Sequence, residues 1–242
     1  KKGHVIKYRL PRNIIARMQS LEYARSFLAA RILLDKINAN MIISGAFGLF
    51  EKKTVIAVGG YDNSTMGEDM ELVVRLHEFS RMNRKPYKID FAQDAICWSQ
   101  TPEKLSELGK QRKRWQRGLF QCMWGHRKML ANPRYGAVGL LSYLYFLLYE
   151  LLSPFIELLG VLTMVLSVMM DMLNVKFMLV FLAYYALYGI LLTLTAYFSR
   201  IYTIDQKLSF RELILAIIAC FFETTFLRFY LEFVRVTAFV GY

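Results

Sequence analysis

The sequence predicts an α/β part followed by a set of transmembrane helices, and the division of charge is the first reason. Residues 1–134 contain 25 Lys and Arg against 12 Asp and Glu, whereas residues 135–242 contain 6 and 7. Long apolar runs fill the second part. In the first part, helix-like patterns alternate with short apolar stretches that are typical of strands. A basic region in water therefore precedes a nearly uncharged region in the membrane.

Two apolar runs are each long enough to cross a bilayer, which takes about 20 residues. They are Leu151–Met170 and Phe177–Phe198. Lys and Arg occur before the first run and after the second, whereas only Lys176 lies between them. Because Lys and Arg collect on the cytoplasmic side, residues 1–134 are predicted to be cytoplasmic, in a multi-pass protein of the cell membrane, plasma or inner.

A third apolar run begins near Leu213 and continues toward Val240, but it carries charges. Arg228, Glu232 and Arg235 fall on one face of a helix at about 100° per residue. An unpaired charge at the bilayer centre costs roughly 2.5–3.5 kcal/mol on insertion scales. This face is therefore predicted to look at protein or water. The alternative is that the last two turns leave the membrane.

The basic region begins with the pattern of one amphipathic helix over residues 13–38. The apolar positions at helical spacing are Ile14, Met18, Leu21, Leu28 and Ile32. Ile42 and Ile43 predict a strand that meets a tight bend at 44–48, where glycines allow close backbone approach. A short helix is expected over 53–58, because Gly59-Gly60 is a typical helix stop.

A longer helix is predicted to open at Gly67-Glu68-Asp69. Its buried stripe consists of Leu72, Val73, Leu76 and Phe79. Short strands are predicted at Lys88–Phe91 and Ala95–Trp98, and Pro102 is predicted to open the next helix. Taken alone, an acidic pair in a first turn is explained by the helix dipole.

The helix after Pro102 carries a basic, tryptophan-bearing segment, Lys110–Arg117. One of its faces holds four residues: Gln111, Arg114, Trp115 and Gly118. Gly118 is predicted to leave room for a bound group, while Lys113 and Arg117 point toward water or lipid headgroups. Four apolar residues on another face are predicted to anchor the helix: Leu105, Leu108, Leu119 and Met123.

This face has a chemical use. A guanidinium grips two phosphate oxygens at once, and an indole stacks on the apolar face of a sugar. The face therefore suits a sugar next to a diphosphate. The basic cluster alone also fits a juxtamembrane lipid-binding patch or a nucleic-acid surface, although the adjoining spans argue against nucleic acid as a partner.

The segment Gln111-Arg112-Lys113-Arg114-Trp115 resembles the QxxRW motif of membrane-embedded family 2 glycosyltransferases. That family includes cellulose, hyaluronan and poly-N-acetylglucosamine synthases. Glu68-Asp69 resembles its acidic pair, although Gly67 stands where the family often has Thr. Ser44-Gly45-Ala46-Phe47-Gly48 and Val58-Gly59-Gly60-Tyr61 resemble segments near its acceptor, and residues 152–157 resemble its first membrane helix after the catalytic domain.

The resemblance implies a cytoplasmic GT-A-like catalytic domain that uses a nucleotide-sugar, usually a UDP-sugar, and inverts the anomeric carbon. It implies that 1–134 is the C-terminal part of this domain and that 135–242 forms about three transmembrane helices with interfacial segments. A divalent ion, Mg²⁺ or Mn²⁺, is implied as well. Its main ligands in the family lie in motifs that precede residue 1, so no metal ligand is expected in this chain.

The resemblance also implies roles for individual residues. Asp69, with Glu68 beside it, would be the catalytic base. Gln111 and Arg114 would bind the donor diphosphate. The residues on the acceptor side would be Trp115, Ser44, Gly45, Ala46 and Phe47.

Three functions remain open on this reading. The first is synthesis of a polysaccharide that is also exported, with Glu150 and Glu157 on one helix face lining its path. The second is a single sugar transfer to a lipid carrier. The third is an inactive membrane scaffold or lipid-binding subunit. The expected partners are a nucleotide-sugar, a glycan or lipid-linked acceptor, membrane lipids, and an accessory subunit or further copies of the chain.

Overall fold

The computed structural model describes residues 9–26, 31–92, 95, 97–203 and 209–240. The chain divides into two compact units that interleave along the sequence. The first unit comprises Lys1–Ala30, Gln93–Gly109 and Phe155–Phe233. The second unit comprises Arg31–Ala92, Lys110–Pro154 and Val234–Tyr242.

Helices make up most of the described chain. Those of the basic region are α1 (Ile14–Ser26), α2 (Ile32–Lys36), α3 (Lys52–Ala57), α4 (Glu68–Met82) and α5 (Leu105–Gly125). Short 3₁₀ turns follow at Arg127–Met129 and Pro133–Tyr135. The apolar region contains α6 (Val138–Leu151), which is largely π-helical, α7 (Ser153–Met169), α8 (Val175–Thr203) and α9 (Phe210–Phe239).

The predicted strands form no β ladder within the described ranges, so the α/β architecture is not confirmed. The segment Lys88–Phe91 is extended, but its amides bond to side chains instead of a neighbouring strand. Ile89 N donates to Asn38 Oδ1 at 2.9 Å and Phe91 N donates to Asp35 Oδ1 at 2.7 Å. Ile42 and Ile43 have no assigned secondary structure, and Ile96 of the other predicted strand lies outside the described residues.

The predicted helix over 13–38 is found as α1 and α2, and Leu28 lies outside the described residues. Asn13 caps α1, because its Oδ1 accepts from the amides of Ile15 and Ala16 at 2.8 and 3.2 Å. The apolar face of α1 packs in the first unit against α8 and α9. Burying one such large apolar side chain contributes about 1.5–3 kcal/mol.

The core of the second unit lies between α4, α5 and α6. Its fully or nearly fully buried members include Met70, Val74, Cys122, Met129 and Val138. The α4 stripe is as predicted, with Leu72, Val73 and Leu76 buried and Phe79 half-buried. This core fixes the orientation of α4 and α5, and so determines which side of each helix faces away from the core.

Among the described residues, α8 and α9 are long and apolar enough to cross a membrane, and the bent pair of α6 and α7 would count as a third span. The charged face of α9 looks at protein, as predicted. In the first unit Arg228 pairs with Glu157 at 2.5 Å, and in the second unit Arg235 pairs with Glu150 at 3.6 Å. Glu150 and Glu157 lie on different helices, because the helix breaks at Leu152, and each carboxylate pairs with an arginine.

Candidate functional site

The turn that was predicted to serve the acceptor lies against the predicted base. Ser44 to Phe47 form a turn that closes when Phe47 N donates to Ser44 O at 2.9 Å. Gly45 N donates to Asp69 Oδ2 at 3.0 Å, so the turn is attached to the first turn of α4. A Cβ on Gly45 would lie 3.1 Å from that oxygen. The absence of a side chain at this position is therefore what lets the two segments approach so closely.

The first turn of α4 is also attached to α5. A Cβ on Gly118 would lie 2.7 Å from Gly67 N and 2.9 Å from Gly67 Cα, so the two backbones are in direct contact. Gln121 Oε1 accepts from Met66 N at 2.9 Å one turn further along α5. The prediction that Gly118 leaves room for a bound group is therefore wrong, because that room is filled by the backbone before α4.

The face of α5 with Gln111, Arg114 and Trp115 begins within two turns of this contact. Trp115 is 40% exposed. The Arg112 guanidinium lies over its ring, 4.5 Å from the ring centroid. Arg114 is exposed. In the part of the chain that the structure describes, the buried Oε1 of Gln111 has no hydrogen-bond partner. Since an unsatisfied buried polar atom costs about 1–3 kcal/mol, this oxygen is suited to a ligand.

The opposite side of α5 is more firmly attached than predicted. Arg117 does not point toward water, because its Nε donates to Ala238 O at 2.7 Å. Buried Gln116 donates to Leu151 O at 3.1 Å and accepts from Arg235 Nε at 2.9 Å. Of the predicted apolar anchors, Leu108 and Met123 are buried and Leu119 is half-buried, but Leu105 is 43% exposed. The helix begins at Leu105 and not at Pro102, so Leu105 lies at its frayed first turn.

Sequence reasoning missed a cation beside the predicted base. Burial lowers the pKa of Arg31 to about 10, while the carboxylates of Asp69 and Glu150 favour its charged form. Arg31 therefore remains charged at neutral pH and interacts electrostatically with both carboxylates. In the sequence it is only one more position of an amphipathic pattern, and its partners are distant along the chain, so no local signal points to it.

Behind the site, α4 holds the loop that follows α3. Arg75 donates to Val58 O and Gly60 O, each at 2.7 Å, and pairs with Glu71 at 2.6 Å. Gly59 and Gly60 have φ of 93° and 77°, a left-handed conformation that favours glycine. The predicted Gly59-Gly60 stop is confirmed, and its carbonyls are the acceptors that fix the loop to α4.

One histidine with two glutamate partners completes this layer. His126 Nδ1 lies 2.6 Å from Glu78 and its Nε2 lies 3.4 Å from Glu71. Burial lowers the pKa of His126, but the hydrogen bonds to Glu71 and Glu78 outweigh it and raise the pKa overall. The two carboxylates bind opposite sides of the ring and do not converge on a common point. Within the described ranges, no group of three or more His, Cys, Asp or Glu could hold a metal ion, so these residues do not fit a Mg²⁺ or Mn²⁺ site.

Comparison with known proteins agrees with the resemblance of the α5 motif. The model of glycosyl transferase family group 2 matches residues 3–230. The chain belongs to this family. It is 32% identical over 120 residues to the poly-beta-1,6-N-acetyl-D-glucosamine synthases of Staphylococcus aureus (strain COL) and Staphylococcus epidermidis. The aligned region is 50% of this chain and 26% of each of those relatives. No solved structure matches the chain.

Family membership makes this chain a glycosyltransferase. Its long apolar helices agree with a membrane protein. The residues of the acidic pair, the 44–47 turn and the QxxRW segment all belong to the second unit. The structure brings the turn to Asp69 and brings α5 to the residues just before Asp69. It leaves Glu68 exposed at the helix start.

Proposed function

We infer that this chain is part of an inverting glycosyltransferase that moves a sugar from a nucleotide-sugar, a UDP-sugar, to a growing polysaccharide at the membrane. The observation that carries the inference is the double attachment of the first turn of α4. Asp69 accepts from the turn at Gly45, and Gly67 contacts Gly118 on the QxxRW helix. One carboxylate thus lies next to a candidate acceptor turn and close to a candidate donor helix.

In the proposed reaction Asp69 is the base. A carboxylate offers about four lone-pair positions, and Gly45 N and Met70 N occupy one on each oxygen of Asp69. The remaining positions can take the proton of the acceptor hydroxyl. The acceptor oxygen then bonds to the anomeric carbon as the sugar–phosphate bond breaks, and the nucleoside diphosphate leaves with that electron pair. A positioned base typically increases the rate by about 10²–10⁴-fold.

The α5 face holds the other participants. Arg114 offsets the charge that grows on the leaving diphosphate, which is the interaction that stabilises such a transition state. Gln111 offers an amide whose buried oxygen has no hydrogen-bond partner among the described residues and can accept a hydrogen bond from a hydroxyl group of the nucleotide-sugar. Trp115 stacks on the acceptor sugar with its exposed ring, while Arg112 keeps the ring in position. Holding both substrates side by side supplies much of the remaining acceleration.

We propose a polysaccharide as the acceptor because the relatives are named as poly-beta-1,6-N-acetyl-D-glucosamine synthases. We assign residues 1–134 to the cytoplasmic catalytic domain and 135–242 to the membrane region, and we expect Mg²⁺ or Mn²⁺ to assist the donor. Since the described residues do not fit such an ion, no step above depends on it. Export of the product, membrane lipids and an accessory subunit belong to the same proposal.

The test uses the full-length protein in nanodiscs. Release of UDP is followed over a panel of UDP-sugars for the wild type, Asp69→Asn and Trp115→Ala, with Asp90→Asn as a matched control at an exposed aspartate. One donor should be consumed by the wild type and the control. Asp69→Asn should lose turnover by at least about 10²-fold. Turnover by Asp69→Asn at the wild-type rate would refute the assignment of the base.

The length of the product separates the polymerase from a single transfer. A ladder of long glycans on a gel supports polysaccharide synthesis. One added sugar on a lipid-linked acceptor would instead identify a single sugar transfer to a lipid carrier. No consumption of any nucleotide-sugar, together with normal membrane assembly of Asp69→Asn, would instead favour the scaffold.

A further inference from the structure

A cavity of about 800 Å³ lies at the C-terminal end of α4. Four cations line it: Arg81, Arg84, Lys85 and Arg134. No Asp or Glu is among its lining residues, and in the ranges that the structure describes none of the four cations forms an ion pair with a carboxylate. The helix dipole would explain one cation in the last turn of α4. It does not explain four cations around one cavity.

The first of these cations is held in a fixed orientation. Buried His77 donates from Nε2 to Asn40 O at 2.8 Å, so its Nδ1 accepts from the Tyr87 hydroxyl at 2.7 Å. Burial lowers the pKa of His77 to about 4, which keeps the ring neutral and this direction of donation fixed. The Tyr87 oxygen in turn accepts from Arg81 Nε at 3.1 Å. The chain of bonds ends at Arg81 Nε, and among the described residues no hydrogen bond occupies either Nη group, so both can bind a ligand.

A glycine lets this guanidinium lie where it does. Gly136 has φ of 61°, and a Cβ there would lie 3.1 Å from Arg81 Cζ. The guanidinium therefore packs on bare backbone. Asn38, another lining residue, is also held in place, because its side chain donates to Tyr87 O and accepts from Ile89 N, each at 2.9 Å. At least three of the lining side chains, those of Asn38, Arg81 and Tyr87, are thus held by hydrogen bonds within the protein.

The second cation occupies an unfavourable backbone position. The end of α4 is a Schellman motif, in which Lys85 N donates to Ser80 O at 2.9 Å and Arg84 N donates to Arg81 O at 3.2 Å. Arg84 has φ of 50° at the position that glycine or asparagine usually takes. Strain of this kind persists at functional sites more than elsewhere. Arg84 is among the residues that line the cavity.

We propose that this cavity binds a phosphate-bearing anion, at a site separate from the candidate active site. Guanidinium groups bind phosphate oxygens in pairs, and a lysine adds a point charge. Arg81 is 12 residues after Asp69 on the same helix, about 18 Å along its axis. Arg134 lies four residues before the start of α6, which belongs to the candidate membrane region. The phosphate can therefore belong to a soluble anion or to a lipid headgroup.

The test separates these two sources. Full-length protein in neutral detergent is titrated by calorimetry with inorganic pyrophosphate and, separately, with detergent-solubilised phosphatidic acid, with phosphatidylcholine as the uncharged lipid control. The pocket variant is Arg84→Asn with Lys85→Gln. The matched control is Lys52→Gln with Lys53→Gln, which removes the same charge from exposed positions of α3. The pocket variant should bind one of the two probes about tenfold or more weakly, and the control should not.

Each result has one meaning. A pyrophosphate site that is lost in the pocket variant and kept in Arg114→Ala identifies a soluble anion at this cavity and not at the proposed donor site. Loss of phosphatidic-acid binding alone identifies a lipid headgroup. Equal binding of both probes by the pocket variant and the control overturns the proposal. If the pocket variant does not fold, Arg134→Gln, on a different segment, makes the same comparison.

Discussion

Gly67 and Gly118 bring the first turn of α4 and the middle of α5 into backbone contact. The nearest atom to a Cβ on Gly118 would be Gly67 N, at 2.7 Å, and the next is Gly67 Cα. Both belong to backbone, which cannot rotate away as the end of a side chain can. The contact therefore sets the separation between the acidic pair and the QxxRW segment more strictly than any side-chain interaction at the site.

The first prediction concerns this contact. Gly118→Ala should force the two backbones apart, destabilise the protein by roughly 1–3 kcal/mol as overpacked cores do, and reduce sugar transfer. The free energy of unfolding and the rate of UDP release should both fall. Gly125→Ala is the matched control, because it lies on the same helix and a Cβ there meets nothing within 4 Å. If Gly118→Ala behaves like that control, the contact does not determine the separation between the acidic pair and the QxxRW segment.

The second prediction separates positioning from stability at Asp69. A Cβ on Gly45 would lie 3.1 Å from Asp69 Oδ2, so Gly45→Ala should move the carboxylate by a few tenths of an ångström. Gly45 is exposed, so the melting temperature should change little. Misplacing a catalytic group by about 1 Å costs on the order of 10²-fold, and a smaller displacement should lower kcat by roughly tenfold. The measurement is kcat and KM for the preferred donor.

Gly160→Ala is the control for this second prediction, because a Cβ at Gly160 on α7 meets nothing within 4 Å. It should leave kcat at the wild-type value. A Gly45→Ala enzyme with unchanged kcat would show that the turn and Asp69 adjust independently, contrary to the proposed function.

Local signals in the sequence predicted some features well. The helix start at Glu68-Asp69 and the stop at Gly59-Gly60 depend on neighbouring residues, so they could be recognised without a structure. The role of Gly118 and the position of Arg31 depend on segments distant in sequence, and no periodic pattern encodes them. The strand predicted at Lys88–Phe91 is not confirmed in the described residues for the same reason, because Asp35 and Asn38 accept hydrogen bonds from amides that a neighbouring strand would have bound.

The third prediction concerns pH. The pKa of His126 is raised in the folded protein, because the bonds to Glu71 and Glu78 outweigh burial. A raised pKa gives stability that is fully present below the unfolded value of about 6.5 and is lost as the pH rises through the folded value. The free energy of unfolding should therefore decrease above about pH 6.5.

His126→Asn tests this dependence, because it cannot take up the proton. Its free energy of unfolding should be lower than that of the wild type near pH 6 and should converge with it as the pH rises, both measured by chemical denaturation in one detergent. His77 does not affect this comparison. Burial lowers its pKa to about 4, so the stability that depends on His77 is lost only as the pH decreases below about 6.5. Parallel curves for wild type and His126→Asn would contradict the prediction.

The last prediction concerns Arg84 and opposes stability to binding. A left-handed conformation costs a residue other than glycine or asparagine roughly 1–2 kcal/mol, and asparagine tolerates it better. Arg84→Asn should therefore raise the free energy of unfolding by about 1 kcal/mol while weakening anion binding at the cavity. Lys53→Asn removes the same charge from a right-handed helical position, so it should lower stability slightly and leave anion binding intact. An arginine that lowers the stability of the fold is expected where it binds a ligand. Equal stability of Arg84→Asn and the wild type would remove this reason for regarding the cavity as a binding site.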